Sequence, residues 1–314
     1  MKASSLNLRH LRALKAVHHT GSITRAADMV FLSQPAITQG IAKLEIAFRA
    51  KLFVRGRSGM TPTPAGAAVA RRVERALAIL ADGCRQAAQR AKARRDGAFD
   101  LSVTANQLRA LDAMARHGSF SGAARDLQVA QPSLHRVARD LEHLAGFPLY
   151  EKTSAGIALT PGAKILNRAA KLTFAELRQA IDEVRGHGAR LASDLIVGSL
   201  PLPRAQLLPS AIARLAADAP DTVIRVIDGP YADLLEGLRE GDLDMIVGAL
   251  RAPAPDEVDQ IPLFTDRLGI YCGPSHPLAG KSDLRLSDLR GFGWVVPRHP
   301  TPTRAIFDAV CEAA

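Results

Sequence analysis

At 314 residues and 33.5 kDa the chain exceeds one ordinary domain and suits two or three, and 47% hydrophobic with 23% charged residues can build a sizeable core. Twenty-four glycines and nineteen prolines are near average usage, which excludes collagen-like and low-complexity chains. The net charge of +10 resolves into +13 over residues 1–97, +3 over 98–190 and −6 over 191–314, so a polyanion-binding end is expected at the N-terminus and the acidic last third is excluded as a nucleic-acid surface.

Met1 to His10 carry charges every few positions and lack the apolar run of a signal peptide, and no stretch approaches the ~18 apolar residues of a spanning helix. No membrane association is expected. Cys84, Cys272 and Cys311 are odd in number and lack metal-ligand spacing, so they read as buried thiols in a reducing cytoplasm, with no metal or other cofactor expected.

Leu8, Leu11, Leu14, Ala16 and Val17 follow helical spacing, and Gly21 ends that helix where a left-handed cap is needed. Ser22 caps a short helix from Thr24 to Val30, in which Ala26 and Ala27 are small enough to let another helix approach. Ser33 caps a third helix with Pro35 in its first turn; Ile37, Ile41, Leu44 and Phe48 form its buried stripe, and Pro35, Ala36, Thr38, Gln39 and Lys43 face outward. Lys51 to Arg55 and Met60 to Pro62 bracket Gly56-Arg57-Ser58-Gly59, which predicts a two-stranded wing. Helix, turn, recognition helix and wing make a winged helix-turn-helix. Thr63-Pro64 then opens a longer helix striped by Val69, Val73, Leu77 and Leu80, with Arg71, Arg72 and Arg75 outside the stripe and the run Lys92-Ala93-Arg94-Arg95 as a solvated end.

Shifted by 97, residues 11–66 overlay residues 108–163 without a gap: Leu11-Arg12-Ala13-Leu14 falls on Leu108-Arg109-Ala110-Leu111, Gln34-Pro35 on Gln131-Pro132, and Leu44-Glu45 on Leu141-Glu142. Two copies are too few for a solenoid and read as two autonomous units. Thr160-Pro161 opens the second long helix, striped by Leu166, Leu177, Ile181 and Val184.

Five patches in order, Gly-Ser-Ile-Thr-Arg-Ala-Ala from Gly21, Ser33-Gln34-Pro35-Ala36-Ile37-Thr38, Leu44-Glu45, Leu52-Phe53 with Arg55, and Thr63-Pro64-Ala65-Gly66, resemble the DNA-binding domain of LysR-type bacterial transcriptional regulators. The resemblance implies double-stranded DNA as partner, with contacts from Arg25, Ser33, Gln34, Pro35, Ala36, Thr38, Gln39, Lys43, Arg55 and Arg57. It also implies self-association as a homodimer or homotetramer through the linker helices, and RNA polymerase as a further candidate partner. The family normally has one such domain, so the tandem copy is a departure. The first copy has Arg49 in place of a helix-ending glycine and Gln39 in place of a DNA-contacting arginine, where the second keeps Gly146 and Arg136. The second has Ala130 for the capping serine, His135 for Thr38, and Glu151-Lys152-Thr153-Ser154 for Val54-Arg55-Gly56-Arg57. It is either a weaker reading head, using Gln131, Pro132, Ser133, His135 and Arg136, or a duplicate kept for packing or dimerisation.

From Asp194 strands alternate with helices: Leu195 to Ser199, helix Leu207 to Ala217, strand Val223 to Ile227, helix Tyr231 to Glu240, strand Asp244 to Gly248. This predicts a parallel α/β sheet binding ligands beyond the strands' carboxyl ends. With Gly241-Asp242-Leu243-Asp244, Ile261-Pro262-Leu263-Phe264 and Ser275-His276-Pro277-Leu278, it is similar to the LysR-type effector domain, a two-lobed periplasmic-binding-protein-like fold. Under that resemblance Leu268 to Tyr271 starts the second lobe and Trp294 to Pro297 is a further strand. The effector contacts are Ser199, Leu200, Pro201, Gly229, Tyr231, Gly248 and Ala249, suited to a small carboxylate or polar metabolite. Against the family pattern the second lobe is incomplete, so a truncated effector domain with weak ligand response and uncovered apolar surface is expected.

The expected architecture is therefore multi-domain: two α-rich winged helix-turn-helix domains (1–66 and 98–163), linker helices (67–97 and 164–190) and a truncated α/β effector domain (191–314). An enzyme is excluded by the absence of a nucleophile elbow, P-loop or His-Glu-x-x-His. Besides an effector-responsive transcription factor, two readings remain: a dominant-negative DNA-binding fragment that never switches, and a cytoplasmic solute-binding protein.

Overall fold

The 97-residue offset recurs element for element. In this computed structural model, which describes residues 3–56, 59–93, 99–154, 156–186, 194–220 and 222–312, helices α1 (Leu8–Thr20), α2 (Ile23–Val30) and α3 (Gln34–Phe48) precede strands β1 (Phe53–Gly56) and β2 (Gly59–Pro62) and the long α4 (Pro64–Arg90). After the short α5 (Phe99–Ser102) the series returns as α6 (Ala105–His117), α7 (Phe120–Leu127), α8 (Gln131–Ala145), β3 (Tyr150–Thr153), β4 (Gly156–Leu159) and α9 (Pro161–Gly186). The two long helices open at Pro64 and Pro161, where Thr63-Pro64 and Thr160-Pro161 placed their starts. The first ends at Arg90, before the run at Lys92; Lys92 itself has φ +53, and Arg94 and Arg95 lie outside the described residues.

Caps set the helix starts. Ser22 and Ser33 accept from the N–H groups of Arg25 and Ala36, Ser119 accepts from Gly122, and Thr63 from Gly66, whereas Ala130 leaves α8 without a side-chain cap. Gly21 and Gly118 end α1 and α6 at φ +63 and +59. Each wing is an antiparallel hairpin, Phe53 opposite Pro62 and Tyr150 opposite Leu159. Glu45 fastens the first wing to α3, accepting from Leu52 N–H at 3.0 Å and Lys51 Nζ at 2.7 Å; Glu142 repeats this with Leu149 N–H at 2.8 Å.

The two long helices pair with each other in the same chain. They run antiparallel: Arg72 near the start of α4 meets Glu176 and Glu183 late in α9, while Gly162 at the start of α9 lies beside Ala87 and Ala91 at the end of α4. At the crossing, Thr173 donates its hydroxyl to the Ala76 carbonyl (3.2 Å), a contact between positions that are equivalent under the offset of 97. Gly83 lets the helices touch, since a Cβ there would stand 2.0 Å from that of Ala169. One continuous core runs from Leu8, Leu11 and Leu14 through Val69, Val73 and Leu80 to Leu141, Leu166, Leu177 and Ile181. A seam of the kind expected between two chains is formed here within one, and Arg71, Arg72 and Arg75 pair with carboxylates of α9, Arg72 from a largely covered position and Arg71 and Arg75 from exposed ones.

In the last third, β5 (Asp194–Ser199) lies between β6 (Val223–Asp228) and β7 (Met245–Val247), all parallel, with α10 (Leu207–Asp218) and α11 (Tyr231–Glu240) at the predicted places. This sheet rests on a small core of Leu200, Leu234 and Leu243. The last described element is the helix α12 (Pro302–Glu312). The strands expected at 268–271 and 294–297 do not form: neither segment has a paired neighbour among the described residues, and an extended segment without one makes no ladder. Tyr271 and Val295 accordingly stand in solvent. Of the cysteines only Cys84 is buried; Cys272 and Cys311 are exposed, contrary to the expectation of three buried thiols, because the segments carrying them pack against no core.

Candidate functional site

The sequence-predicted DNA face gathers on α3 and its flanks. Ile37, Ile41, Leu44 and Phe48 are buried, which turns Gln34, Pro35, Thr38, Gln39 and Lys43 outward as exposed residues, with Ala36 half-buried among them. Two hydroxyls are engaged by the backbone: Ser33 caps α3, and Thr38 donates to the Gln34 carbonyl at 3.0 Å. Arg25 is exposed beside them and its guanidinium bonds the Thr20 carbonyl. Arg55 is exposed on the wing, and Arg57 lies outside the described residues. Burial first, then Lys43 and Arg9, hold the His10 imidazole below the ordinary histidine range.

The second unit presents the same frame with other chemistry. Gln131, Pro132, Ser133 and Arg136 are exposed, and a shallow groove on α8 is lined by Gln131, Pro132, His135, Arg136, Arg139 and Asp140. The His135 ring is stacked on Phe120, centroids 3.7 Å apart, so one of its faces is committed to packing while the residue still lines the groove. Arg139 and Asp140, absent from the sequence-predicted contacts, stand where the first unit has Ala42 and Lys43, a correspondence that the offset of 97 carries.

The predicted effector contacts meet at the carboxyl ends of the parallel strands. Ser199 is in register with Asp228 on one side and Val247 on the other, which brings Ser199–Pro201, Gly229–Tyr231 and Gly248–Ala249 to one edge. Ser199 is completely buried and its hydroxyl donates to the Leu200 carbonyl at 3.1 Å; Leu200 is buried as well. Pro201, Gly229, Tyr231, Gly248 and Ala249 reach the surface. Two arginines missed in the sequence flank this edge. Arg204 donates to the Ser199 carbonyl (3.1 Å) and pairs with Asp228 (3.4 Å), and the Arg251 guanidinium lies 4.0 Å from the centre of the Tyr231 ring. Spacing places neither, because Arg204 closes a short 3-10 turn (Leu202–Arg204) and Arg251 follows β7 outside any helix or strand, and both positions are set by the sheet.

A polar latch joins this unit to α9. Lys171 donates to Glu240 (2.7 Å) and Asp242 (2.8 Å), Arg168 to the Arg239 carbonyl and Arg178 to the Gly241 carbonyl. Burial works against the Lys171 ammonium, yet the bonds to Asp242 and Glu240 outweigh it and raise its pKa. Three cations thus meet the carbonyl end of α11, where the helix dipole favours them. Among the described residues no cluster suited to a metal ion is found, and no helix is long and apolar enough to cross a membrane.

The family model for bacterial regulatory helix-turn-helix proteins of the lysR family matches residues 8–67 and again 105–164, and that for the LysR substrate binding domain matches residues 188–314. The chain is 31% identical over 310 residues to the HTH-type transcriptional regulator GalR of Pseudomonas putida, spanning 98% of this chain and 76% of GalR. It is 34% identical over 180 residues to the HTH-type transcriptional regulator PcaQ of Agrobacterium fabrum, spanning 57% of this chain and 58% of PcaQ. Among solved structures, a hydrogen-peroxide-bound cysteine-to-serine mutant of OxyR from Corynebacterium glutamicum is 27% identical, covers 66% of this chain and 65% of its own, and has a TM-score of 0.35.

Proposed function

Because the chain belongs to the LysR family of bacterial transcriptional regulators, we propose that its N-terminal winged units bind a specific site on double-stranded DNA and that its C-terminal unit tunes transcription through a small-molecule effector. The observation that carries this reading is the exposed, cationic face of α3, with Gln34, Thr38, Gln39 and Lys43 outward and Arg55 on the wing. Phosphate neutralisation supplies most non-specific affinity, so the first unit, at +13, is the main clamp and the second, at +3, a weaker reading head through Arg136 and Arg139.

For the effector, Arg204 and Arg251 beside the strand ends favour a small carboxylate, which a guanidinium fork can bind through two parallel hydrogen bonds. Gel-shift titration of the full chain on random-sequence and then selected duplexes tests the DNA function. Retention that falls steeply with salt and weakens on Lys43→Ala supports it; no retention at low salt overturns it.

A second reading, DNA binding without a ligand response, is favoured by the uncovered apolar residues Leu263, Phe264, Ile270, Tyr271 and Val295. Thermal denaturation with a panel of carboxylate metabolites separates the two. A saturable rise in Tm removed by Arg251→Ala identifies an effector-responsive regulator, and no rise with any member favours the non-switching form.

A further inference from the structure

We infer that one chain is by itself a complete two-headed reader, which takes a single double-stranded DNA site with two unlike halves, one chain per site. The inference rests on the DNA-binding function proposed above and adds its stoichiometry and the symmetry of its target. Two identical winged domains related by a twofold axis impose a palindrome on their site, because each half must suit the same side chains. Here the twofold relation is present but the side chains are not repeated.

The relation is internal to the chain. Thr173 sits over Ala76, its own equivalent, at the crossing of α4 and α9, and Arg72 fans across to Glu176, Gln179 and Glu183. The end stretches are exchanged between the units: the turn at Ala3–Ser5 packs on α9, and α5 packs on α4. Arg12 of α1 also donates to the carbonyl of Val103, just beyond α5. The chain path suits this arrangement. The last turns of α4, at Ala87 and Ala91, lie beside Gly162 where α9 begins, so the second unit sits at the end of α4 that leads into it and a short connection suffices. The apolar stripe of α4 is then covered by α9 and is closed to a second chain.

The two outward faces differ at matched positions. Gln39, Ala42 and Lys43 of α3 correspond to Arg136, Arg139 and Asp140 of α8, and Arg55 of the first wing corresponds to Lys152 of the second. Lys43 against Asp140 reverses the sign of charge at one position of the reading helix. A half-site that places a phosphate or guanine opposite Lys43 would repel Asp140, and Arg136 is suited to a guanine edge where Gln39 is suited to adenine. No palindrome satisfies both heads.

The full chain is used to select bound molecules from a randomised duplex library of about 40 base pairs, long enough for two half-sites about one helical turn apart. The selected duplex is then taken for sedimentation and hydroxyl-radical footprinting. The expected result is one chain per duplex and two dissimilar protected halves, with Lys43→Ala weakening one half and Arg136→Ala the other, each roughly five- to tenfold. Two chains on a palindrome, with either substitution eroding both halves alike, overturn the inference while leaving DNA binding intact. One chain protecting a single half, with Arg136→Ala silent, overturns it too. Failure to retain any duplex at low salt overturns the DNA-binding function itself, a distinct outcome.

Discussion

Arg49 holds a left-handed conformation (φ +53) at the end of α3, where α8 has Gly146 (φ +73). A residue with a Cβ is disfavoured there by roughly 1 kcal/mol or more, which glycine avoids. Arg49→Gly is expected to stabilise the protein by about 0.5–1 kcal/mol, read as a rise in Tm or in denaturant midpoint. Cys84 makes a second case. Burial, then the nearby Asp100 carboxylate, push its thiol up to about 12, so it stays protonated and unreactive at neutral pH. Titration with an aromatic disulfide should modify the exposed Cys272 and Cys311 in the native protein, and Cys84 only after denaturation. At this scale the sequence showed caps and stripes well, because both depend on neighbours within a turn or two. It did not show that Ser199 is closed off or that His135 lies on Phe120, because those depend on which residues the fold brings alongside.

Among elements, the α4–α9 seam is the feature most open to test. Helix propensity alone predicts that Gly83→Ala stabilises by about 1 kcal/mol. The close approach of Ala169 predicts the opposite, a loss of about 1–3 kcal/mol from overpacking, measured by chemical denaturation. The sign of the change decides between them. The seam also carries an acid-sensitive cluster. Burial of Glu183 opposes its ionisation, but hydrogen bonds from Arg72 and Arg71 outweigh this and hold its carboxyl below the ordinary value of 4.5. A lowered folded-state pKa means stability that is full above pH ~4.5 and is lost as pH falls through the lowered value. Glu183→Gln should therefore be less stable than the parent at neutral pH, with the gap closing on acidification, in urea melts from about pH 7 to 3. The stripe of Val69, Val73 and Leu80 announced that α4 must be covered, since an apolar face in water is unfavourable. It said nothing about whether the cover is another chain or a later part of this one.

For the whole molecule, charge and connection decide behaviour. The +13 of residues 1–97 predicts steep salt dependence of DNA affinity, and Lys43→Ala should lower the slope of log affinity against log salt by about one. The latch of Arg168, Lys171 and Arg178 on the end of α11 ties the C-terminal unit to α9, so Lys171→Ala is expected to speed hydrogen exchange in α11 while leaving the first winged unit unchanged. Family, order of elements, block charges and outward face of α3 were all determined by the sequence itself, because each rests on local periodicity, on capping or on a repeat visible as text. The tertiary structure decided that the two long helices close on each other, that Arg204 and Arg251 flank the strand ends, and that residues 268–271 and 294–297 stay unpaired. Those outcomes depend on which distant surfaces bury each other, and burial is a property of the folded chain as a whole.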